Sequence, residues 1–253
     1  MKPLAIDLFC GLGGWTEGLL LEGYDVIGFD IEQHVYGDAR YPGMLVIQDV
    51  LTLHGSQFKD AALIVASPPC QEYSYMAMPW SLAKAKAADY RSGKRDVKQL
   101  TALFDACFRL QREACEASGR RIPLIVENVR GAQEWVGRAR WNFGSYYIWG
   151  DVPALMPIGS KFKVAGFRFD GSGKSFQSAS VSATGRSPAP GNGVWFTSRD
   201  CGIEAHPGRW FNDGPRTPDS LASSSSPRRK AASALIAKIP LPLSRHIAAV
   251  FRP

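Results

Sequence analysis

The 253-residue chain lacks any apolar run long enough to span a bilayer, which excludes a helical membrane anchor within it. It lacks an internal repeat, which excludes a solenoid or propeller. Its five cysteines, Cys10, Cys70, Cys107, Cys115 and Cys201, are scattered. None forms a Cys-x-x-Cys pair, and no histidine cluster offers zinc-ligand spacing, so no metal site is expected. An odd cysteine count without a framework indicates a reducing compartment. No signal peptide precedes the first apolar segment, and a cytoplasmic location is expected. What remains is a chain that is 45% hydrophobic, enough for a real core. Its length suits one large domain or a domain with a small lobe. A net charge of +7 suits an anionic partner such as nucleic acid, and equally a basic protein with none.

The segment Ala62-Leu63-Ile64-Val65-Ala66-Ser67-Pro68-Pro69-Cys70-Gln71 organises the rest. Its branched apolar run reads as a buried strand, and the two prolines stop it. In open α/β sheets ligands bind beyond the carboxyl ends of strands, so Cys70 falls where chemistry is expected. A thiol there is either a nucleophile or a small buried residue.

Leu4 to Phe9 reads as the first strand, followed by the loop Cys10-Gly11-Leu12-Gly13-Gly14 and a helix from Trp15 to Leu21. Strand, glycine turn and helix suit close approach of a ligand, although a tight turn alone would look the same. Asp25 to Asp30 is a second strand ending in an acid, well placed for a ribose hydroxyl pair or for capping a helix from Glu32. Met44 to Val50 is a third strand, and its Asp49 suits an adenine amino group or a turn cap. After Cys70, residues Glu72 to Asp96 carry Lys84, Lys86, Arg91, Lys94 and Arg95 and read as a mobile loop, either an active-site lid or solvated surface.

Leu100, Leu103, Phe104, Cys107, Leu110 and Cys115 recur on one face, which predicts a helix over Val97 to Ser118 ended by Gly119. A fifth strand, Ile122 to Val126, delivers Glu127-Asn128-Val129 to the same edge as Cys70. Asn142 to Trp149 alternates as a strand or hairpin, preceded by Arg138 and Arg140. From Gly159 to Pro227 glycine, serine, proline and arginine dominate, with basic and aromatic residues interleaved, as suits a small nucleic-acid lobe. A last amphipathic helix, Ser244 to Phe251, is expected to fold back on the first domain. The division expected is 1–158 with 228–253 as one domain and 159–227 as an insertion.

In chain order, Asp7-Leu8-Phe9-Cys10-Gly11-Leu12-Gly13-Gly14, Phe29-Asp30, Gln48-Asp49-Val50, Ser67-Pro68-Pro69-Cys70-Gln71, Glu127-Asn128-Val129 and Pro240-Leu241-Pro242-Leu243-Ser244 resemble the motifs of DNA cytosine-5 methyltransferases. The resemblance implies an α/β fold with a Rossmann-like sheet, helices on both faces and a small irregular target-recognition lobe. It implies S-adenosylmethionine as methyl donor, with S-adenosylhomocysteine as product. Phe9, Gly11, Leu12, Gly13, Gly14, Asp30, Ile31, Asp49, Pro69 and Ser244 would bind it. Cys70, Glu127, Arg138 and Arg140 would form the catalytic set. The implied partner is double-stranded DNA, with the target base flipped from the duplex. No membrane partner is expected, and the protein is expected to be a monomer. An RNA cytosine-5 methyltransferase, and a DNA-binding relative without turnover, are the alternatives. Two departures stand out. Only Arg138-Ala139-Arg140 remains of the family's Gln-x-Arg-x-Arg, and Ile236-Ala237-Lys238 occupies the place of its Gly-Asn. Lys238 beside the donor would favour an anionic donor analogue.

Overall fold

The computed structural model describes residues 2–73, 80–156, 234 and 237–253. The inserted lobe expected over 159–227 lies outside these residues, as do positions 74–79 of the expected lid. Among the described residues, 2–34, 41–156 and 238–253 form one compact unit, and 35–40 belong to a second.

The large unit is built on a seven-stranded sheet. Its strands are β1 (Leu4–Leu8), β2 (Asp25–Asp30), β5 (Met44–Ile47), β6 (Leu63–Ala66), β7 (Leu124–Asn128), β8 (Trp141–Phe143) and β9 (Tyr146–Gly150). Their order is β5-β2-β1-β6-β7-β9-β8. The first five run parallel, and the β8–β9 hairpin adds antiparallel to β7. Parallel strands buried on both faces explain the near-continuous apolar runs at Leu63 to Ala66 and Leu124 to Val126. Alternate residues serve two cores. Ile6, Leu8, Ile64, Ala66, Leu124 and Val126 pack with Phe104, Cys107 and Leu110 of α3 (Val97–Ser118). Ala5, Leu63, Val65 and Ile125 pack with Trp15 and Leu19 of α1 (Gly14–Leu21) and with Leu243 and Ile247 of α5 (Leu241–Val250). The α/β class with helices on both faces therefore holds. Among the described residues, no helix is long and apolar enough to cross a membrane.

Helix α3 starts where the Asp96 side chain accepts from Lys98 N and stops at Gly119, whose φ of 68° is left-handed. Helices α1 and α5 meet at a glycine seam. A Cβ on Gly14 would lie 2.4 Å from Ile239 N, and one on Gly18 would lie 2.3 Å from Ser244 Oγ. Tyr24 Oη donates to Ala248 O across this seam at 3.0 Å.

Three elements differ from expectation. No helix begins at Glu32. The chain forms instead a short hairpin of β3 (Val35–Tyr36) and β4 (Ala39–Arg40), turning through Gly37 at φ 60°. The third sheet strand stops at Ile47, because Asp49 caps a 3₁₀ turn over Val50–Thr52. The stretch read as a loop from Glu72 to Asp96 contains α2 (Trp80–Arg91). Four alanines at 83, 85, 87 and 88 favour helix, and Ala83 and Ala87, one turn apart, are buried. Helix α4 (Gln133–Val136) is a short turn after β7.

Candidate active site

Between β1 and β6 the strand order reverses, so the crevice beyond their carboxyl ends is the topological switch point of the sheet. Four neighbouring strands deliver residues there. Asp30 ends β2, Phe9 to Gly13 follow β1, Ser67 to Cys70 follow β6, and Glu127 lies near the end of β7.

The β1 loop is tightly wound. Phe9 has φ 57°, the one non-glycine in the left-handed region among the described residues, and Gly11 and Gly13 have φ 51° and 76°. Gly11 N donates to Asp30 Oδ2 at 2.8 Å, and Ile31 N donates to Asp30 Oδ1 at 2.8 Å. Burial works to raise the Asp30 carboxyl, but the hydrogen bond and charge of His34, with the N–H groups of Gly11 and Glu32, hold it below the usual range. A Cβ on Gly11 would meet no atom of the described residues within 4 Å, so among them space is open over the loop at that point. Ile31 beside it is 71% exposed. Gly13 is different, since Pro42 Cδ lies 2.4 Å from where its Cβ would be. Leu12 is buried.

Beneath the loop, Thr16 Oγ1 donates to Asp7 Oδ2 at 2.6 Å, and Tyr41 Oη lies 2.7 Å from the same hydroxyl. Asp7 Oδ1 is buried without a partner. Burial pushes this carboxyl up to about 8, so at neutral pH it is held largely protonated.

Cys70 is half-buried and Pro69 before it is exposed. Asn128 Nδ2 donates to Pro68 O at 2.9 Å, and Val129 N donates to Asn128 Oδ1 at 2.8 Å. The Asn128 side chain thus fixes the turn that carries Cys70 to the end of β7. Burial first, and the Glu127 charge second, push the Cys70 thiol up to about 11. Glu127 is 8% exposed, and burial pushes its carboxyl up to about 8, against a hydrogen bond from Ser67 that favours the charged form. At neutral pH the site therefore holds a thiol beside a carboxylic acid, a nucleophile and a proton donor on adjacent strands.

Several expected residues sit elsewhere. Gly14 and Ser244 belong to the helix seam. Ser244 is fully buried, and its Oγ donates to Leu241 O at 3.2 Å, so it packs helices rather than lining the crevice. Asp49 Oδ1 accepts from Leu51 N at 2.9 Å, the turn-capping alternative. Lys238 Nζ donates to Glu17 Oε1 at 2.5 Å, which balances its charge and removes the basis for an anionic donor preference. Arg138 and Arg140 are exposed. The register sets the start of β8 level with Glu127, with β9 between them, a lateral separation of about 10 Å. Four of the five cations of the expected lid have acidic partners. Lys86 pairs with Glu72, Arg91 with Glu134, and Lys94 and Arg95 with Asp89.

Residues 4–105 match the sequence family of C-5 cytosine-specific DNA methylases. No curated protein shows significant similarity to the chain. Among solved structures, one similar chain is a putative DNA modification methyltransferase encoded within an E. coli prophage, at 23% identity and TM-score 0.34, over 52% of this chain and 33% of that one. Another is the Entamoeba histolytica methyltransferase EhMeth, at 19% identity and TM-score 0.34, over 54% and 41%. A third is the S. pombe Dnmt2 methyltransferase, at 18% identity and TM-score 0.34, over 54% and 37%. The match spans less than half the length of each of these chains.

Proposed function

We propose, from the C-5 cytosine-specific DNA methylase match over residues 4–105, that this chain methylates C5 of cytosine in double-stranded DNA. The observation that carries the reading is the Cys70 thiol beside a buried, proton-bearing Glu127, on neighbouring strands at the switch point. Glu127 lies beyond the family match, so its role rests on this juxtaposition.

S-adenosylmethionine supplies an electrophilic methyl group in that family. Its fit to this chain is supported by open space over Gly11, the exposed apolar Ile31 at the end of β2, and the ionised Asp30 between them. Asp30 Oδ1 accepts from both Ile31 N and Glu32 N, whereas Oδ2, which takes the Gly11 N–H, keeps a lone pair for a ribose hydroxyl. Asp30→Ala is expected to weaken donor binding by about 10- to 100-fold, the worth of hydrogen bonds to a charged group. Calorimetric titration with S-adenosylhomocysteine checks this, and a Kd within twofold of the parent would remove Asp30 from the donor site.

Cytosine C5 is a poor nucleophile. The Cys70 thiolate adds to C6, and the C4–C5–C6 electrons shift so that C5 becomes the enamine carbon. Glu127 gives its proton to N3 as negative charge gathers there, which lowers the barrier where the charge appears. After C5 is alkylated it loses its proton to a solvent base, the C6–S electron pair returns to sulfur, and N3 gives its proton back to Glu127. The base must leave the duplex to reach this pocket. In this reading the 159–227 insertion supplies DNA contacts, the exposed Arg138 and Arg140 reach for phosphate or the base from beside the site, and the chain acts in the cytoplasm as a monomer.

Duplex DNA containing 5-fluorocytosine tests the assignment, because fluorine at C5 cannot leave as a proton and the adduct persists. With S-adenosylmethionine, a covalent protein–DNA species is expected for the parent and none for Cys70→Ala. An adduct with RNA alone would transfer the reading to RNA. An adduct of undiminished yield in Cys70→Ala would end the nucleophile assignment.

A further inference from the structure

Ser67 is the first residue beyond β6. Since Ala66 pairs with Val126, the next step along both strands sets Ser67 beside Glu127. Trp15, 2% exposed on α1, brings its Nε1 to 2.9 Å from Ser67 Oγ. An indole N–H only donates, so Ser67 accepts at that contact. The hydroxyl's single proton is then left for its other partner, the Glu127 carboxyl. Neither Trp15 nor Ser67 has a role in the function proposed above.

We propose that Trp15 and Ser67 form a directional hydrogen-bond relay that orients the Glu127 carboxyl and sets how readily it gives up its proton. Trp15 fixes the Ser67 rotor by occupying its acceptor side. Ser67 then donates to one carboxyl oxygen, so the acidic proton resides on the other. Ser67 is thus a positioning residue. It opposes burial by favouring the charged form, and without it the acid would hold its proton to higher pH. Helix α1 begins directly after the β1 loop, so the relay also ties that loop to the acid. The catalytic meaning of the relay rests on the methyl-transfer reading, whereas the order of its hydrogen bonds does not.

Carbon-13 NMR of protein labelled at the glutamate side-chain carboxyl reads the relay directly, with the Glu127 signal identified by its loss in Glu127→Gln. The parent is expected to titrate near pH 8, with the Cys70 thiol and the Tyr146 phenol as the titratable groups that feel its charge, both unaltered in the variants below. Ser67→Ala is expected to move this midpoint up by about one unit or more, with Ser67→Thr restoring it. Trp15→Phe, which frees the Ser67 rotor, is expected to shift it in the same direction by less. Amide spectra that overlay the parent confirm an intact fold, and Trp15→Phe serves if Ser67→Ala does not fold. An unmoved midpoint in whichever variants fold would overturn the relay. A shifted midpoint in a parent that methylates neither DNA nor RNA would leave the relay standing and sink the methyl-transfer reading instead.

Discussion

Replacing Glu127 by glutamine is expected to slow methyl transfer by about 10²- to 10⁴-fold while making Cys70 easier to ionise. The two effects have opposite signs because Glu127 does two things. As an acid it gives a proton to the base. As an anion it adds to burial in pushing the Cys70 thiol up to about 11. Glutamine keeps the shape, cannot donate that proton and carries no charge. Alkylation of Cys70 by iodoacetamide, followed by peptide mapping, is expected to show a lower midpoint in the variant. Cys10 and Cys107 are buried and will react slowly. The parent's pH dependence follows from the same pair. Below pH 8 the acid is protonated and the thiolate fraction grows about tenfold per pH unit, as the single-proton relation requires. Between about 8 and about 11, gain of thiolate offsets loss of acid, and the profile flattens. Glu127→Gln should lack the break near pH 8. Turnover reduced less than threefold, with the alkylation midpoint unmoved, would remove Glu127 from the mechanism.

Gly18→Val is expected to cost about 3 kcal/mol or more of stability, read as a fall in Tm of about 6–12 °C. The new Cβ would meet Ser244 Oγ at 2.3 Å and the Arg245 N and Ser244 C backbone atoms at 2.6 Å. Backbone cannot swing aside as a side-chain end can, so α1 and α5 must part. That movement would expose Leu19, Leu243 and Ile247, all fully buried. Leu21→Ala, three residues along the same helix at a position 62% exposed, is the control and should shift stability by no more than about 0.5 kcal/mol. A Gly18→Val protein with the parent's Tm would show that the seam is not packed as described.

Much of the sheet was legible because its strands are doubly buried and so read as apolar runs between glycine and proline. The α3 boundaries were legible because both ends carry their own signals, Asp96 and Gly119. The Cys70–Glu127 juxtaposition followed from two strand ends at one edge. What escaped was local chemistry competing with pattern. Asp49 reads equally as ligand and as cap, and only the 3₁₀ turn decides between them. Ser244 sits in a stretch resembling a family motif, yet a glycine 226 residues earlier in the chain, Gly18, draws it into a helix seam. Helix α2 escaped because its basic residues suggested a solvated loop, while its alanines favour helix. In the sequence Ser67 stands only as part of a motif. Its role needed the β6–β7 register and the Trp15 contact, neither of which composition or spacing reveals.

The seam between α1 and α5 also orders events during synthesis. Tyr24 and Ala248, joined by a hydrogen bond, are 224 residues apart. At about 5–20 residues per second a ribosome takes roughly 10–45 s to make that span. Through this interval α1 exists without the helix that packs on it, and Leu19 has no α5 to pack against. The half of the chain that resembles a donor site is thus made first and closed last. A nascent chain stalled before residue 239 would present an open apolar groove to chaperones rather than a finished fold.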